Sequence, residues 1–106
     1  MNKLPAYDGT QACLDAPAEA AAAFAGRAGA QPEPAKDLCR QCPFRRPCRT
    51  FALFEDVEGV WGGTDSVDRR QLRNERGLPE PRRVSDDLDD LVLVWRTGRP
   101  AAVAAA

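Results

Sequence analysis

The sequence has no histidine, a single methionine and no long apolar run. Its 15 basic residues are balanced by 16 acidic residues, so the total charge says almost nothing about partners. The first ten residues carry one lysine and no apolar stretch, and Glu19 interrupts the alanine-rich stretch 18–25. Neither segment has the character of a secretory signal or a membrane span. The sequence therefore predicts a cytoplasmic protein that does not associate with membranes.

Large apolar side chains are also scarce. Much of the 43% apolar content is alanine, which buries little area per residue. A folded domain of about 60 residues hides only about 60% of the surface that its unfolded chain exposes. Such a domain would gain stability from a disulfide or a metal, and the four cysteines are the candidates.

Prolines, glycines and N-cap residues predict four to five short helices and no strand. A first helix is expected to begin near Asp15, with Pro17 in its first turn, and to end at Gly26. Pro34 and Pro47 are expected to open the second and third helices.

A fourth, arginine-rich helix is expected between a cap at Asp65 or Ser66 and Gly77. A last helix capped by Ser85 would carry an apolar stripe, expected to pack back on the domain. The stripe consists of Leu88, Leu91, Val92 and Trp95.

The four cysteines are spaced C-x25-C-x2-C-x5-C, at Cys13, Cys39, Cys42 and Cys48. Without histidine, four thiolates suit either a tetrahedral zinc ion or a four-iron cluster. Only one Cys-x-x-Cys hook is present, whereas simple four-cysteine zinc modules more often pair two. Two disulfides or a redox-active dithiol are the alternatives, and spacing alone does not separate iron–sulfur from zinc.

Basic residues lie close in sequence to Cys39, Cys42 and Cys48. They are expected to lower the pKa values of the thiols and to stabilise a negatively charged metal site. These residues are Lys36, Arg40, Arg45, Arg46 and Arg49.

A glycine-rich turn follows, with the sequence Gly59-Val60-Trp61-Gly62-Gly63. Because a tryptophan flanked by glycines has little local packing support, the turn is expected to present the indole to a partner, although a core position is the alternative. Six arginines lie between residues 69 and 83, where they could contact phosphates or form a solvated face.

The cysteine pattern, the glycine-rich turn and the arginine-rich helix together resemble the WhiB-like family of actinobacteria and their phages, over Cys13 to Gly77. The resemblance implies a small mainly α fold of four to five helices, organised around a [4Fe–4S] cluster held by Cys13, Cys39, Cys42 and Cys48. It also implies binding to the C-terminal domain of the primary sigma factor of RNA polymerase. The contact would lie at or beside the turn formed by Gly59, Val60, Trp61, Gly62 and Gly63.

The resemblance further implies contact with promoter DNA through basic segments after the turn. The matching residues are Arg69, Arg70, Arg73, Arg76, Arg82 and Arg83. Arg99 lies in a Gly-Arg-Pro sequence similar to an AT-hook core, for which an ordinary exposed tail is the alternative.

The expected organisation is a flexible lead over 1–12, a WhiB-like iron–sulfur domain over 13–77, and a linker, helix and alanine-rich tail over 78–106. The expected function is that of a non-enzymatic transcriptional regulator, responsive to redox state or nitric oxide. The alternatives are a structural zinc adaptor and an apo-form protein disulfide reductase using Cys39 and Cys42. The absence of a predicted strand before Cys39 counts against the reductase.

Overall fold

The computed structural model describes residues 4–83, 93 and 95–98, and within these ranges the regular structure is mainly helical. The helices with complete bounds are α1 (Ala18–Phe24), α2 (Glu33–Arg40), α3 (Arg45–Phe54) and α4 (Ser66–Arg76). Residues 93 and 95–97 are also helical. These helices confirm the predicted small, mainly α fold. Among the described residues, no helix is long and apolar enough to cross a membrane.

A short parallel strand pair differs from the prediction. Strand β1 (Glu55–Asp56) follows α3 directly and pairs with β2 (Arg82–Arg83), with Glu55 opposite Arg82. Glu55, the residue directly after α3, has extended backbone angles. The prediction of no strand is therefore wrong, because a pairing of two residues leaves no periodic signal in the sequence.

Helix α4 begins and ends as its local sequence predicts. The Asp65 carboxylate accepts a hydrogen bond from the Asp68 backbone N–H at 2.8 Å, and the Asp68 carboxylate accepts one from the Asp65 N–H at 3.1 Å. Gly77 ends the helix in the left-handed conformation, with φ of 63°. Both helix ends are thus satisfied by residues within the helix and its caps.

Helix α1 begins later than predicted. Asp15 has a φ of 52°, a left-handed conformation incompatible with capping, and α1 begins at Ala18 after Pro17. The Asp15 N–H donates to the Thr97 carbonyl at 3.0 Å, so a contact with the distant C-terminal segment sets the local backbone. The predicted cap at Asp15 is therefore wrong.

Helices α2 and α3 each carry a proline in the first turn, where the missing N–H is not needed. Pro34 follows the first residue of α2, and Pro47 is the third residue of α3. Both helices therefore begin close to the predicted positions.

The core consists of two apolar clusters. The first lies mainly on α1 and α2, where alanines allow close approach of the helices around Phe24. The second joins α3 to the glycine-rich turn through Phe51 and Trp61. Cys13 and Cys39 belong to the first cluster and Cys48 to the second, so the cysteines lie where the two clusters meet.

The C-terminal segment, defined here as residues 93 and 95–98, packs against this core. Leu93, Arg96 and Thr97 are buried, whereas Trp95 is half exposed and its ring packs edge-on against Tyr7 at 5.4 Å. The predicted apolar stripe therefore contacts the domain at Trp95. Its other members, Leu88, Leu91 and Val92, lie outside the described residues together with Ser85 and Arg99.

Candidate metal centre

All four cysteines line one small cavity, although they come from separate parts of the chain. Cys13 precedes α1, Cys39 lies near the end of α2, Cys42 lies in the following turn, and Cys48 lies in α3. All four are free thiols. The structure thus brings together the four residues that the sequence pattern selected, including the distant Cys13.

Polar groups of the chain contact the sulfur atoms of Cys13, Cys42 and Cys48. The Tyr7 hydroxyl lies 2.9 Å from the Cys48 sulfur, and the Ala12 N–H donates to the Cys42 sulfur at 3.4 Å. The Cys13 thiol donates to the Arg96 carbonyl at 3.3 Å. Tyr7 and Ala12 belong to the segment predicted to be a flexible lead, and here they form one wall of the cysteine site.

Burial dominates the chemistry of the free thiols. It raises the pKa of Cys13 to about 12 and that of Cys48 to about 11, and it also raises the pKa of Cys39. The positive charge of Arg96 opposes burial at all three thiols, lowering each pKa. These thiols are therefore protonated near neutral pH until a metal replaces their protons.

Two of the basic residues expected to surround the cysteines instead form ion pairs with carboxylates. The Lys36 ammonium lies 2.8 Å from the Asp68 carboxylate and 3.1 Å from that of Asp65, and Arg40 pairs with Asp37. Arg45 does line the cavity, but it is the weakest influence on the Cys39 pKa. Arg45 therefore lowers the pKa of Cys39 as predicted, but burial outweighs this effect and the pKa is raised.

The donor set consists of four thiols that line one cavity. Once deprotonated, four thiolates are the ligands of a tetrahedral zinc ion or of a four-iron cluster. Among the described residues, no group of three or more His, Cys, Asp or Glu side chains is already arranged to hold a single metal ion. The residues present therefore fit either kind of centre by their chemistry.

The glycine-rich turn packs directly behind the cavity. The Trp61 and Thr64 backbones exchange two hydrogen bonds of 2.9 Å, which close the turn. A side chain at Gly59 would collide with the Phe24 carbonyl, and one at Gly62 with the backbone of α3. Both glycines also have positive φ, so the turn requires glycine there for two reasons.

The Trp61 indole lies in the core. Only 2% of the residue is exposed, its ring packs against Phe51 at 5.4 Å, and its N–H donates to the Glu58 carbonyl at 2.8 Å. The expectation that the turn presents this indole outward is therefore wrong. The signal was misleading because the packing comes from distant residues and not from the flanking glycines.

Arg96 covers the other side of the indole, and sequence analysis missed its position. Its guanidinium carbon lies 3.8 Å from the centre of a Trp61 ring, and the group donates to the carbonyls of Val60 at 2.8 Å and Phe24 at 3.1 Å. The residue is 1% exposed and lines the cysteine cavity. Arg99, the arginine of the Gly-Arg-Pro sequence, lies outside the described residues, so its role stays a prediction.

Comparison with known proteins identifies the family. A family model described as "Transcription factor WhiB" matches residues 8–72, which is more than half of the 106-residue chain. The chain belongs to the WhiB family. The match includes all four cysteines and the whole glycine-rich turn.

Curated relatives in the WhiB family come from mycobacteria. The chain is 46% identical over 55 residues to the redox-responsive transcriptional regulator WhiB3 of Mycolicibacterium smegmatis, covering 50% of this chain and 56% of that protein. It is 37% identical over 57 residues to the transcriptional regulator WhiB2 of Mycobacterium tuberculosis, covering 53% and 62%. The matches therefore span little more than half the length of these relatives. No solved structure matches the chain.

The arginines expected to contact DNA, as in WhiB-like proteins, do not share one environment. Arg69 is 1% exposed and donates to the carbonyls of Thr64 at 2.7 Å and Val57 at 3.1 Å. Burial also lowers its pKa to about 10. The assignment of Arg69 to DNA contact is therefore wrong, because its guanidinium is enclosed within the domain.

Arg73 also stabilises the fold, because its guanidinium donates to the carbonyls of Leu53 at 2.7 Å and Ala52 at 2.8 Å. Arg70 and Arg76 are exposed on α4. Arg82 is exposed beside Glu55, and Arg83 follows it on β2. The WhiB-family chain thus keeps two free arginines on α4, together with Arg82, as candidates for phosphate contact.

Proposed function

We propose that this chain is a transcriptional regulator that holds a [4Fe–4S] cluster on Cys13, Cys39, Cys42 and Cys48. The observation that carries the proposal is the convergence of four free thiols on one cavity in a chain of the WhiB family. The similarity to WhiB3, named a redox-responsive transcriptional regulator, supports a redox-responsive role. Residues 13–77 form the functional domain in this proposal.

The cluster, when bound, supplies iron and sulfide that are sensitive to oxidation. The chain's own residues hold the four thiolates in place: Tyr7 and the Ala12 N–H contact two of the sulfur atoms from the N-terminal side. Because the cysteines lie where the two core clusters meet, losing the shared ligand weakens the contact between those clusters. The glycine-rich turn then loses part of its support.

The partner in this proposal is the C-terminal domain of the primary sigma factor of RNA polymerase. An open groove runs between the end of α1, the glycine-rich turn and the beginning of α4, and is lined by Asp56, Glu58 and Val67, among others. Val67 is 67% exposed and offers an apolar contact at the rim of this groove. Trp61 supports this surface from beneath instead of contacting the partner directly.

Promoter DNA is the second partner in this proposal. Arg70 and Arg76 on α4 supply the phosphate contacts, helped by the segment carrying Arg82, Arg83 and Arg99. No catalysis is proposed. A dithiol reductase needs a thiol whose pKa is lowered, whereas burial raises the pKa of Cys39.

The experiment that tests the metal centre is anaerobic purification followed by absorbance, iron and sulfide analysis. We expect a brown protein with about four irons per chain. Cys39→Ser should lose the iron, and Arg46→Gln, a change at an exposed residue on α3, should retain it. A colourless wild-type protein with one zinc ion would contradict the proposal.

The sigma contact is tested by a pull-down with the isolated C-terminal domain of the sigma factor. Val67→Arg places a charge on the apolar rim and is expected to abolish capture while leaving the iron content unchanged. Thr50→Arg adds the same charge at an exposed site on α3 and serves as the control. Undiminished capture of the Val67 variant would show that the partner binds elsewhere.

A further inference from the structure

Arg96 is a buried charge without a carboxylate partner among the described residues. Enclosing an ionised group costs several kcal/mol unless an opposite charge or a full set of hydrogen bonds compensates. Two carbonyls and the Trp61 ring satisfy part of the guanidinium. Its Nε, however, is buried and has no hydrogen-bond acceptor among the described residues. Within this part of the chain, the guanidinium therefore lacks a carboxylate for its charge and an acceptor for its Nε–H.

The location of Arg96 indicates which group would interact with its charge and its Nε–H. The residue lines the same cavity as the four cysteines. Its backbone carbonyl accepts hydrogen bonds from the Cys13 thiol at 3.3 Å and from the Gln11 amide at 3.2 Å, which fix the C-terminal segment against the site. Arg69 offers a contrast, because it is equally buried but does not line this cavity. Burial of arginine alone therefore does not explain the position of Arg96.

We propose that Arg96 is the counter-charge of the metal centre. Its guanidinium balances the negative charge of the four thiolates and the bound cluster, and its Nε–H donates toward the sulfur atoms. This inference rests on the proposed iron–sulfur site. It goes beyond that site because residue 96 lies outside the segment 8–72 that matches the WhiB family.

The same guanidinium connects the metal centre to the glycine-rich turn. It holds the Val60 carbonyl of the turn and the Phe24 carbonyl at the end of α1 while stacking on Trp61. Loss of the negative charge in the cavity removes the reason for Arg96 to stay enclosed. The C-terminal segment therefore links occupancy of the cavity to the shape of the turn.

The test compares three variants after anaerobic loading: Arg96→Gln, which removes the charge; Arg96→Lys, which keeps the charge but lacks the Nε–H; and Arg46→Gln as an exposed control. The readouts are the reduction midpoint potential and the rate of iron release to a chelator. A nearby positive charge favours the reduced cluster, so we expect a more negative potential for Arg96→Gln alone. Iron release should be about tenfold faster for Arg96→Gln, with Arg96→Lys between it and wild type.

The outcomes separate the two levels of the proposal. A wild-type protein that takes up no cluster refutes the proposed metal site itself. A wild-type protein that loads normally, with Arg96→Gln equal to it in potential and iron release, overturns the role of Arg96 alone. Faster release with an unchanged potential also overturns it, because a purely structural residue gives that result. If Arg96→Gln does not fold, the neutral variant Arg96→Met decides: a midpoint potential more negative than that of wild type supports the proposal, and an equal potential overturns it.

Discussion

The cysteine site and helix α4 satisfy buried polar groups in opposite ways. In α4 the caps come from Asp65, Asp68 and Gly77, and buried Arg69 donates to carbonyls of the same domain. In the cysteine site, three buried thiols and the Arg96 Nε surround a cavity, and this Nε has no acceptor within the described part of the chain. The caps of α4 are thus satisfied by the chain itself, whereas in the proposed function a ligand completes the cysteine site.

The largest loss of stability is expected when a cysteine is removed, because the proposed cluster then loses one of its four ligands. Cys39→Ser should lose the iron and lower the free energy of unfolding by about 5 kcal/mol, measured against iron-loaded wild type. Anaerobic thermal unfolding followed by circular dichroism is the measurement. The matched control is wild type stripped by a chelator, which should unfold at nearly the same temperature as the variant. Equal stability of loaded and stripped wild type would remove the contrast with α4.

The next largest loss of stability is expected at Arg69, which lies in α4 and donates to carbonyls of the same domain. Arg69→Met removes the guanidinium donor to the Val57 carbonyl and one of the two donors to the Thr64 carbonyl, and should cost about 3 kcal/mol of unfolding free energy. The neighbouring Arg70→Met, at an exposed position, should change it by less than about 0.5 kcal/mol. Chemical denaturation of the two variants measures the difference. Similar stability for both would mean that Arg69 does not support α4 as described.

The contrast between the regions also explains what the sequence could predict. The ends of α4 were predictable because Asp65 and Gly77 act on neighbouring backbone, and the cysteine set was predictable because its spacing is local apart from Cys13. Burial of Trp61 and the position of Arg96 depend on contacts between residues far apart in the chain. Short-range patterns carry no information about such contacts, so the indole was expected outside and Arg96 was given no role.

A smaller effect is expected at the N-cap of α4, where the prediction concerns pH. Although burial raises it, the pKa of Asp65 is held below its usual value by hydrogen bonds from the Asp68 N–H and from Lys36. A depressed pKa stabilises the fold above the unfolded value of about 3.9, and this contribution is lost as pH falls through the folded value. Asp65→Ala should therefore cost about 1 kcal/mol at pH 7 and less in acid.

The measurement for Asp65 is the unfolding free energy of both proteins between pH 3 and pH 7, taken from denaturant curves at about ten pH values. Asp65→Asn is the control, because its amide oxygen keeps the cap but loses the charge and so removes most of the pH dependence. A constant difference between wild type and Asp65→Ala across the range would show that the carboxylate charge contributes nothing.

The smallest effect on the fold is expected at the exposed arginines of α4, where the change should appear only in DNA binding. Each phosphate contact contributes about 0.9 to the slope of log affinity against log salt, so Arg70→Gln and Arg76→Gln should each lower that slope by about this amount. Arg46→Gln, at an exposed position on α3, should leave the slope unchanged. The measurement is binding of a promoter duplex, with the sigma domain present, across a salt series. If the three variants behave alike, α4 is not the DNA-contacting helix, and the contrast reduces to one between a ligand-dependent site and a purely structural helix.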